Sequence, residues 1–288
     1  MFFRENGSSV DLVNLYLNQG LFICLNGPSM AKATPLLRPD LRKAGFMTMA
    51  VNNGGHNLRP DFWISLDPPH RFMPSIWKDP RIQKFVPMCN FEQRVFEDRM
   101  VKQQPNVLGF RRNSHFVSES FLTEETINWG NSAEHGGGRS VMLVALRLAH
   151  LLGFRRVYLV GCDFHMAQDS KYFFPEDRTD HAITNNQNTY KILKGILAEL
   201  APIFDHVGMQ VFNCTAGSRL EAFPYCPLKD AVALETSQID LSATTLGMYK
   251  GLAGETKPVP KDGLSRRKKK RLHRRKLDRK RNRSARPS

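Results

Sequence analysis

The chain has 288 residues, 41% of them hydrophobic and 24% charged, enough apolar material for one large domain or two small ones. Its net charge of +15 is concentrated: residues 266–286 hold fourteen Lys/Arg against one acid, Asp278, a net of +13 that leaves only +2 for the rest. That partition excludes a histone-like body or a folded domain built around a basic face, and no segment reaches the roughly 18 to 20 consecutive apolar residues of a membrane span.

The first residues, Met1-Phe2-Phe3-Arg4-Glu5, lack a basic stretch followed by an apolar run, so no secretory signal is expected. Leu21 to Leu25 is a continuous apolar run of strand length, closed by Asn26-Gly27-Pro28-Ser29. Phe46 to Val51 and Phe62 to Leu66 are further runs, closed by Asn52-Asn53-Gly54-Gly55 and by Asp67-Pro68-Pro69. Phe85 to Met88 and Val107 to Phe110 read as strands, with a charged helix over 91–102 between them. The pattern of Val141, Val144, Ala145, Leu148, Ala149 and Leu152 predicts a buried helix over 140–152, with Gly153 at its C-terminal stop. Arg156 to Val160 is the next strand, closed by Gly161-Cys162-Asp163. A polar stretch, 165–182, reads as a lid-like loop. A helix over 187–201, stopped by Pro202, and a strand over 209–214 follow.

Strands apolar on both faces and separated by helices predict a doubly wound, mainly parallel Rossmann-like α/β sheet with helices on both faces. Residues 1–253 are expected to form this single domain, and 254–288 a disordered basic tail. Five scattered cysteines without a C-x-x-C pair argue against disulfides and structural zinc, and point to a reducing compartment, the cytoplasm.

In such a sheet ligands bind beyond the carboxyl ends of the strands. The Gly27 turn admits close approach of backbone N–H groups, and Ser29 is placed to cap the following helix, a start that favours an anion. Gly136-Gly137-Gly138-Arg139-Ser140 before the long helix reads as a phosphate cradle. Neither segment is a P-loop or a G-x-G-x-x-G dinucleotide motif, which disfavours an NAD enzyme. His165 and His181 bracket the lid-like stretch with Asp163, Asp177 and Asp180 nearby, and serve either as general bases or as ordinary surface histidines. A metal set of Asp163, His165 and His181 matches no standard spacing. The tail cations, Arg266, Arg267, Lys268, Lys269, Lys270, Arg271, Arg274, Arg275 and Lys276 foremost, supply phosphate contacts without aromatic stacking, which points to nucleic acid.

Over residues 20 to 230 the order of "LFICLNGPSM", "FMTMAVNN", "SVMLVALRLAHLLGFRRVYLVGCDFH" and "DHAITNNQNTYKIL" resembles the bacterial sialyltransferases of glycosyltransferase family 42. It also resembles the wider group of 6-hydroxymethylpterin diphosphokinases and flagellin-glycosylation proteins, some of whose members occur in phages. The sialyltransferase resemblance implies that Asn26, Gly27, Ser29, Asn52 and Ser140 hold the donor nucleotide and that His181 is the general base. It matches Tyr172 to one of two lid tyrosines that stabilise the departing phosphate, while His165 stands in place of the other. The expected activity is a metal- and cofactor-independent glycosyltransferase using a nucleotide sugar and a hydroxyl acceptor, with a hydroxymethylated base of phage DNA as the suggested acceptor. The alternatives are an Mg-dependent diphosphokinase, with Asp67 and Asp163 as metal carboxylates, and a non-catalytic nucleic-acid-binding protein on a degenerate transferase fold.

Overall fold

In a computed structural model of the chain, the described residues are 2–37, 45–113, 115–132, 136–137, 139–166, 171–175, 180–237 and 240, with the side chains of 131–132, 136–137 and 180–182 outside that set. Apart from Asp240 they belong to a compact unit spanning Met1–Ile239. All the tail cations named above lie outside the described residues.

Runs apolar on both faces produce strands buried on both faces. The main sheet contains β1 (Phe2–Phe3), β2 (Ser9–Val10), β3 (Gly20–Cys24), β4 (Phe46–Val51), β5 (Phe62–Ile64), β6 (Gln83–Pro87), β7 (Val107–Phe110), β8 (Arg156–Val160) and β9 (Gln210–Asn213). Their order is β9-β8-β3-β4-β5-β6-β7-β1-β2. Every pairing from β9 to β7 is parallel, and β1 and β2 add an antiparallel edge. The expected doubly wound parallel sheet is therefore present.

Successive residues of each strand serve opposite faces. Leu21, Ile23, Met49, Val51, Phe62, Ile64, Val157 and Leu159 enter one core with α3 (Val141–Leu152) and α4 (Asp180–His206). Phe22, Cys24, Ala50, Trp63, Tyr158 and Val160 enter the other, with Met30 and Ala33 of the short α1 (Met30–Ala33), Trp77 of α2 (Pro74–Lys78) and Ala231 of α5 (Leu228–Ser237). The five cysteines are free thiols, and Cys24, Cys162 and Cys214 are buried as small apolar groups. Among the described residues no helix is long and apolar enough to cross a membrane.

Three sequence expectations are corrected. Residues 91–102 do not form a helix: Arg94–Phe96 and Arg99–Met100 pair as an antiparallel hairpin. Its turn places Glu97 at φ +49°, a left-handed residue that ends any helical run, and Val95 is buried beside exposed Arg94 and half-buried Phe96. Pro202 does not stop α4, which begins at Asp180 and runs on to His206. The proline removes one ladder bond, while Phe204 beyond it is 1% exposed in the core, so packing outweighs the break. Ser29 does not cap α1 through its side chain; its hydroxyl is turned to Asp163 instead.

Polar groups at the amino end of the sheet are heavily bonded. Glu235 of α5, 1% exposed, accepts from Arg156 Nε at 2.6 Å, Arg156 Nη2 at 2.8 Å and the Tyr158 hydroxyl at 2.7 Å. Its carboxylate fills the space where a Cβ on Gly20 would sit, 2.3 Å from Cδ, so a side chain at that position would displace it. The hydrogen bond to Glu235 raises the Arg156 guanidinium pKa, and burial followed by the same carboxylate raises that of the Tyr158 phenol. On β6, Lys84 is fully buried and gives its ammonium to the carbonyls of Asp79, Ile82 and Pro105 at 2.6, 3.0 and 2.8 Å.

Candidate functional site

From β3 the chain moves across β4, β5, β6 and β7, then returns through α3 to β8 on the opposite side of β3. The loops leaving β3 and β8 therefore part in opposite directions, and a crevice opens at this topological switch point. Backbone contacts stitch its floor: Leu25 N–H donates to the Val160 carbonyl at 2.8 Å and Gly27 N–H to that of Gly161 at 3.0 Å. A Cβ at Gly27 would lie 2.0 Å from Asp163 Oδ2, so glycine is required for the β3 turn to lie against the end of β8.

Asp163 closes this junction. Its Oδ2 accepts from the Ser29 hydroxyl at 2.8 Å, and both carboxylate oxygens stand 3.3 Å from the Ser29 amide. The anion expected at the start of α1 is thus an internal carboxylate. Behind it, Thr215 Oγ1 accepts from Cys162 N–H at 2.9 Å, and Arg219 N–H donates to the Asp163 carbonyl at 3.1 Å.

Above the floor lies a cleft of about 530 Å³, lined from β3 and β4 by Asn26, Gly27 and Asn52. Asn52 follows β4 with φ +51°, a left-handed conformation that asparagine tolerates better than most residues. Its carbonyl accepts from the indole N–H of Trp63 at 2.8 Å, which anchors the turn to a fully buried side chain. The side-chain oxygens Oδ1 of Asn26 and of Asn52 are both buried, and among the described residues neither has a hydrogen-bond partner. Such an oxygen costs about 1–3 kcal/mol until a donor reaches it. A ligand carrying N–H or O–H groups would supply that donor.

The α3 side of the cleft is built by its N-terminus. Ser140 caps the helix, its Oγ accepting from Met142 N–H at 3.1 Å, while its own N–H donates to the Trp129 carbonyl at 2.7 Å. Of the glycines before it, Gly136–Gly137 pairs antiparallel with Asn131–Ser132, and Gly138 lies outside the described residues. The local positive charge comes from the helix end and from arginine. Arg139 lies 4.9 Å over the Trp129 ring and Arg112 4.4 Å over the same ring, with Arg139 and Trp129 both in the cleft wall.

Asp67 and Arg71 line the rim and pair at 3.2 Å through Asp67 Oδ2. Asp163 and His165 come from the β8 side, with Tyr172, stacked on Phe174 at 5.1 Å. The neighbouring Phe173 amide stands 3.4 Å from the Asn26 carbonyl, so this part of the lid-like stretch lies over the β3 turn. Burial, reinforced by Tyr172, Cys162 and Asp163, raises the pKa of the Tyr190 phenol, which therefore keeps its proton as a donor.

Of the residues singled out in the sequence, the cleft brings together Asn26, Gly27, Asn52, Asp67, Ser140, Asp163, His165 and Tyr172. Ser29 lies behind it, bound to Asp163. His181 falls in the first turn of α4, but its side chain lies outside the described ones. Among the described residues, no group of three His, Cys, Asp or Glu side chains could hold a metal. The sequence reading missed Asn186, Thr189 and Tyr190 as wall residues. Their 3-4 spacing, continued by Leu193, was the available signal: the buried stripe of α4 turns polar toward its start. Trp129 gave no such signal.

A doubly wound sheet places its polar cleft at the switch point, where open parallel α/β sheets bind their ligands. A family model described as 6-hydroxymethylpterin diphosphokinase MptE-like matches residues 3–169, and the chain belongs to this family. The matched span runs from β1 past Asp163 and His165, and includes Asn26, Asn52 and Ser140. No curated protein and no solved structure matches the chain. Family and fold together make this a transferase-like protein.

Proposed function

We propose that the cleft binds a nucleotide sugar and transfers its sugar to a hydroxyl acceptor. The observation that carries this reading is the pair of buried oxygens, unpartnered among the described residues, on Asn26 and Asn52, two residues that line one cleft with a capped helix N-terminus. The two oxygens suit N–H or O–H groups of a nucleoside, and the α3 terminus with Arg139 suits its phosphate. Transfer forms a bond from the acceptor oxygen to the anomeric carbon and breaks the bond from that carbon to the nucleotide phosphate oxygen. The electron pair leaves with the phosphate, and His181 takes the acceptor proton. The basic tail favours an acceptor within nucleic acid, such as a hydroxymethylated base.

A second reading, pyrophosphate transfer from ATP to a hydroxymethyl group, is favoured by the family description and by the two carboxylates in one cleft. Asp67, which meets Arg71 through Oδ2, and Asp163 are oxygen ligands of the kind magnesium takes alongside substrate phosphates. The metal would neutralise charge on those phosphates.

Thermal shifts of the full chain with CMP, UDP, GDP, ADP and ATP, with and without Mg²⁺, decide between the readings. A ligand at a hundredfold its Kd stabilises the native state by about 2.7 kcal/mol. Metal-independent stabilisation by CMP, UDP or GDP, absent in Asn26→Ala, is the expected result. Stabilisation only by ATP with Mg²⁺ transfers the assignment to the diphosphokinase, and a flat screen sinks both. The tail reading predicts binding to single- and double-stranded DNA that falls steeply with salt and disappears on truncation at residue 263.

A further inference from the structure

Gln187 lies on α4 outside the cleft wall, whereas His165 is part of that wall. The Gln187 side-chain nitrogen stands 3.1 Å from Nδ1 of His165, and it also donates to the Met166 carbonyl oxygen. Turning the amide over would set two oxygens, those of Gln187 and Met166, against each other with no proton between them. The nitrogen therefore faces both groups, and its two hydrogens are used by them. Nδ1 of His165 must then accept. In a neutral imidazole only one nitrogen carries a proton, so that proton belongs to Nε2. Asn186 holds the same segment from the preceding position, its Nδ2 lying 3.4 Å from Met166 Sδ. Nδ1 is thus taken by Gln187, and Nε2 is the nitrogen left to carry the proton of a ring that lines the cleft.

We propose that Gln187 locks His165 in the Nε2–H tautomer, so that His165 donates a hydrogen bond to an anionic phosphate oxygen in the cleft and does not act as a base. Gln187 is a positioning residue, and the proposal rests on the reading of the cleft as a phosphate-binding donor site. It assigns different work to the two histidines that bracket the lid-like stretch: proton abstraction belongs to His181, and His165 meets negative charge. A neutral, oriented N–H suits the second task because it can meet charge that appears on an oxygen without first being reprotonated.

The test uses the full chain labelled with ¹⁵N, at about pH 8, where imidazole is ordinarily neutral. Long-range ¹H–¹⁵N spectra report which ring nitrogen carries the proton, and His165→Ala identifies the resonance. The expected result is Nε2–H in the unaltered protein and Nδ1–H in Gln187→Glu, whose carboxylate accepts where the amide donated. With inorganic pyrophosphate as probe, the His165 signals shift, and affinity falls roughly tenfold in Gln187→Glu and in His165→Ala. An Nδ1–H ring in the unaltered protein overturns the proposal. So does equal pyrophosphate affinity in the unaltered protein and Gln187→Glu, an outcome that leaves the phosphate-binding reading intact. If pyrophosphate binds none of the three proteins, that reading fails and the donor role fails with it. Circular dichroism of Gln187→Leu, which removes the donor without adding charge, separates loss of the lock from loss of fold.

Discussion

The two ends of the central sheet treat buried polar groups in opposite ways. At the amino end, Glu235 meets Arg156 and Tyr158, and Lys84 places its ammonium against three carbonyls. At the carboxyl end, Asn26 and Asn52 of the cleft wall keep buried oxygens with no partner among the described residues. Charges at the first end are saturated because folding alone must compensate their desolvation. Oxygens at the second end are left open, and the fold carries that cost at the place where a ligand can relieve it.

Breaking the saturated end should cost most. Glu235→Gln removes the carboxylate that faces Arg156 and Tyr158, and about 3 kcal/mol of stability should go with it in urea denaturation. Lys84→Met leaves the carbonyls of Asp79, Ile82 and Pro105 without their donor, an expected loss of about 2 kcal/mol, read the same way. Neither change should alter the affinity of a cleft ligand once the fold is restored by lower temperature.

One group near the last turn of α3 departs from the pattern. Nδ1 of His150 is buried without a partner, and burial, with Arg155 and Arg147 adding repulsion, pushes its pKa down to about 4. The unfolded chain, with an ordinary histidine pKa of about 6.5, then binds more protons than the folded one between these values. Stability contributed by the neutral ring is present above about pH 6.5 and is lost as pH falls toward 4. The slope from this one group is at most about 1.4 kcal/mol per pH unit. His150→Asn should flatten that part of the stability–pH curve; an unchanged curve would refute the assignment.

The smallest effect on stability belongs to the open end. Asn26→Ala deletes an unsatisfied oxygen, so the free protein should gain about 1 kcal/mol rather than lose stability. In Asn52→Ala that gain is offset by the left-handed backbone at φ +51°, which alanine tolerates less well than asparagine. The same variants should lose the thermal stabilisation given by a nucleotide. A large loss of intrinsic stability in both would mean that these oxygens serve the fold, and the contrast between the two ends would collapse.

The parts of the fold that could be read from the residues are those whose cause is local. Leu21 to Leu25 and Arg156 to Val160 are apolar on both faces and form neighbouring parallel strands of the sheet. Ser140 and Gly153 mark the ends of α3, where they supply a side-chain acceptor and a left-handed residue at φ +99°. The hairpin at 94–100 was misread because its charged residues outnumber the apolar ones that reveal a period. α4 was cut short at both ends: a proline carries no sign that Phe204 beyond it will be buried, and a polar start gives no apolar stripe. Much of the candidate site was legible as strand-end residues, Asn26, Asn52 and Asp163 among them, because a parallel sheet places such ends together whatever its strand order.

By itself the sequence determined most of the sheet's strands and the long helix α3, which faces they bury, and that polar residues gather at the carboxyl ends. Only the tertiary structure decided what those residues do. Ser29 gives its hydroxyl to Asp163, 134 positions away, and Arg156 meets Glu235 across 79. Gln187 sets the imidazole of His165 from a different element, and Gly27 has no room for a side chain only because β8 returns beside β3. Periodicity records the environment of each segment but not the order in which segments lie side by side, and it is that order which pairs some polar groups and leaves others open.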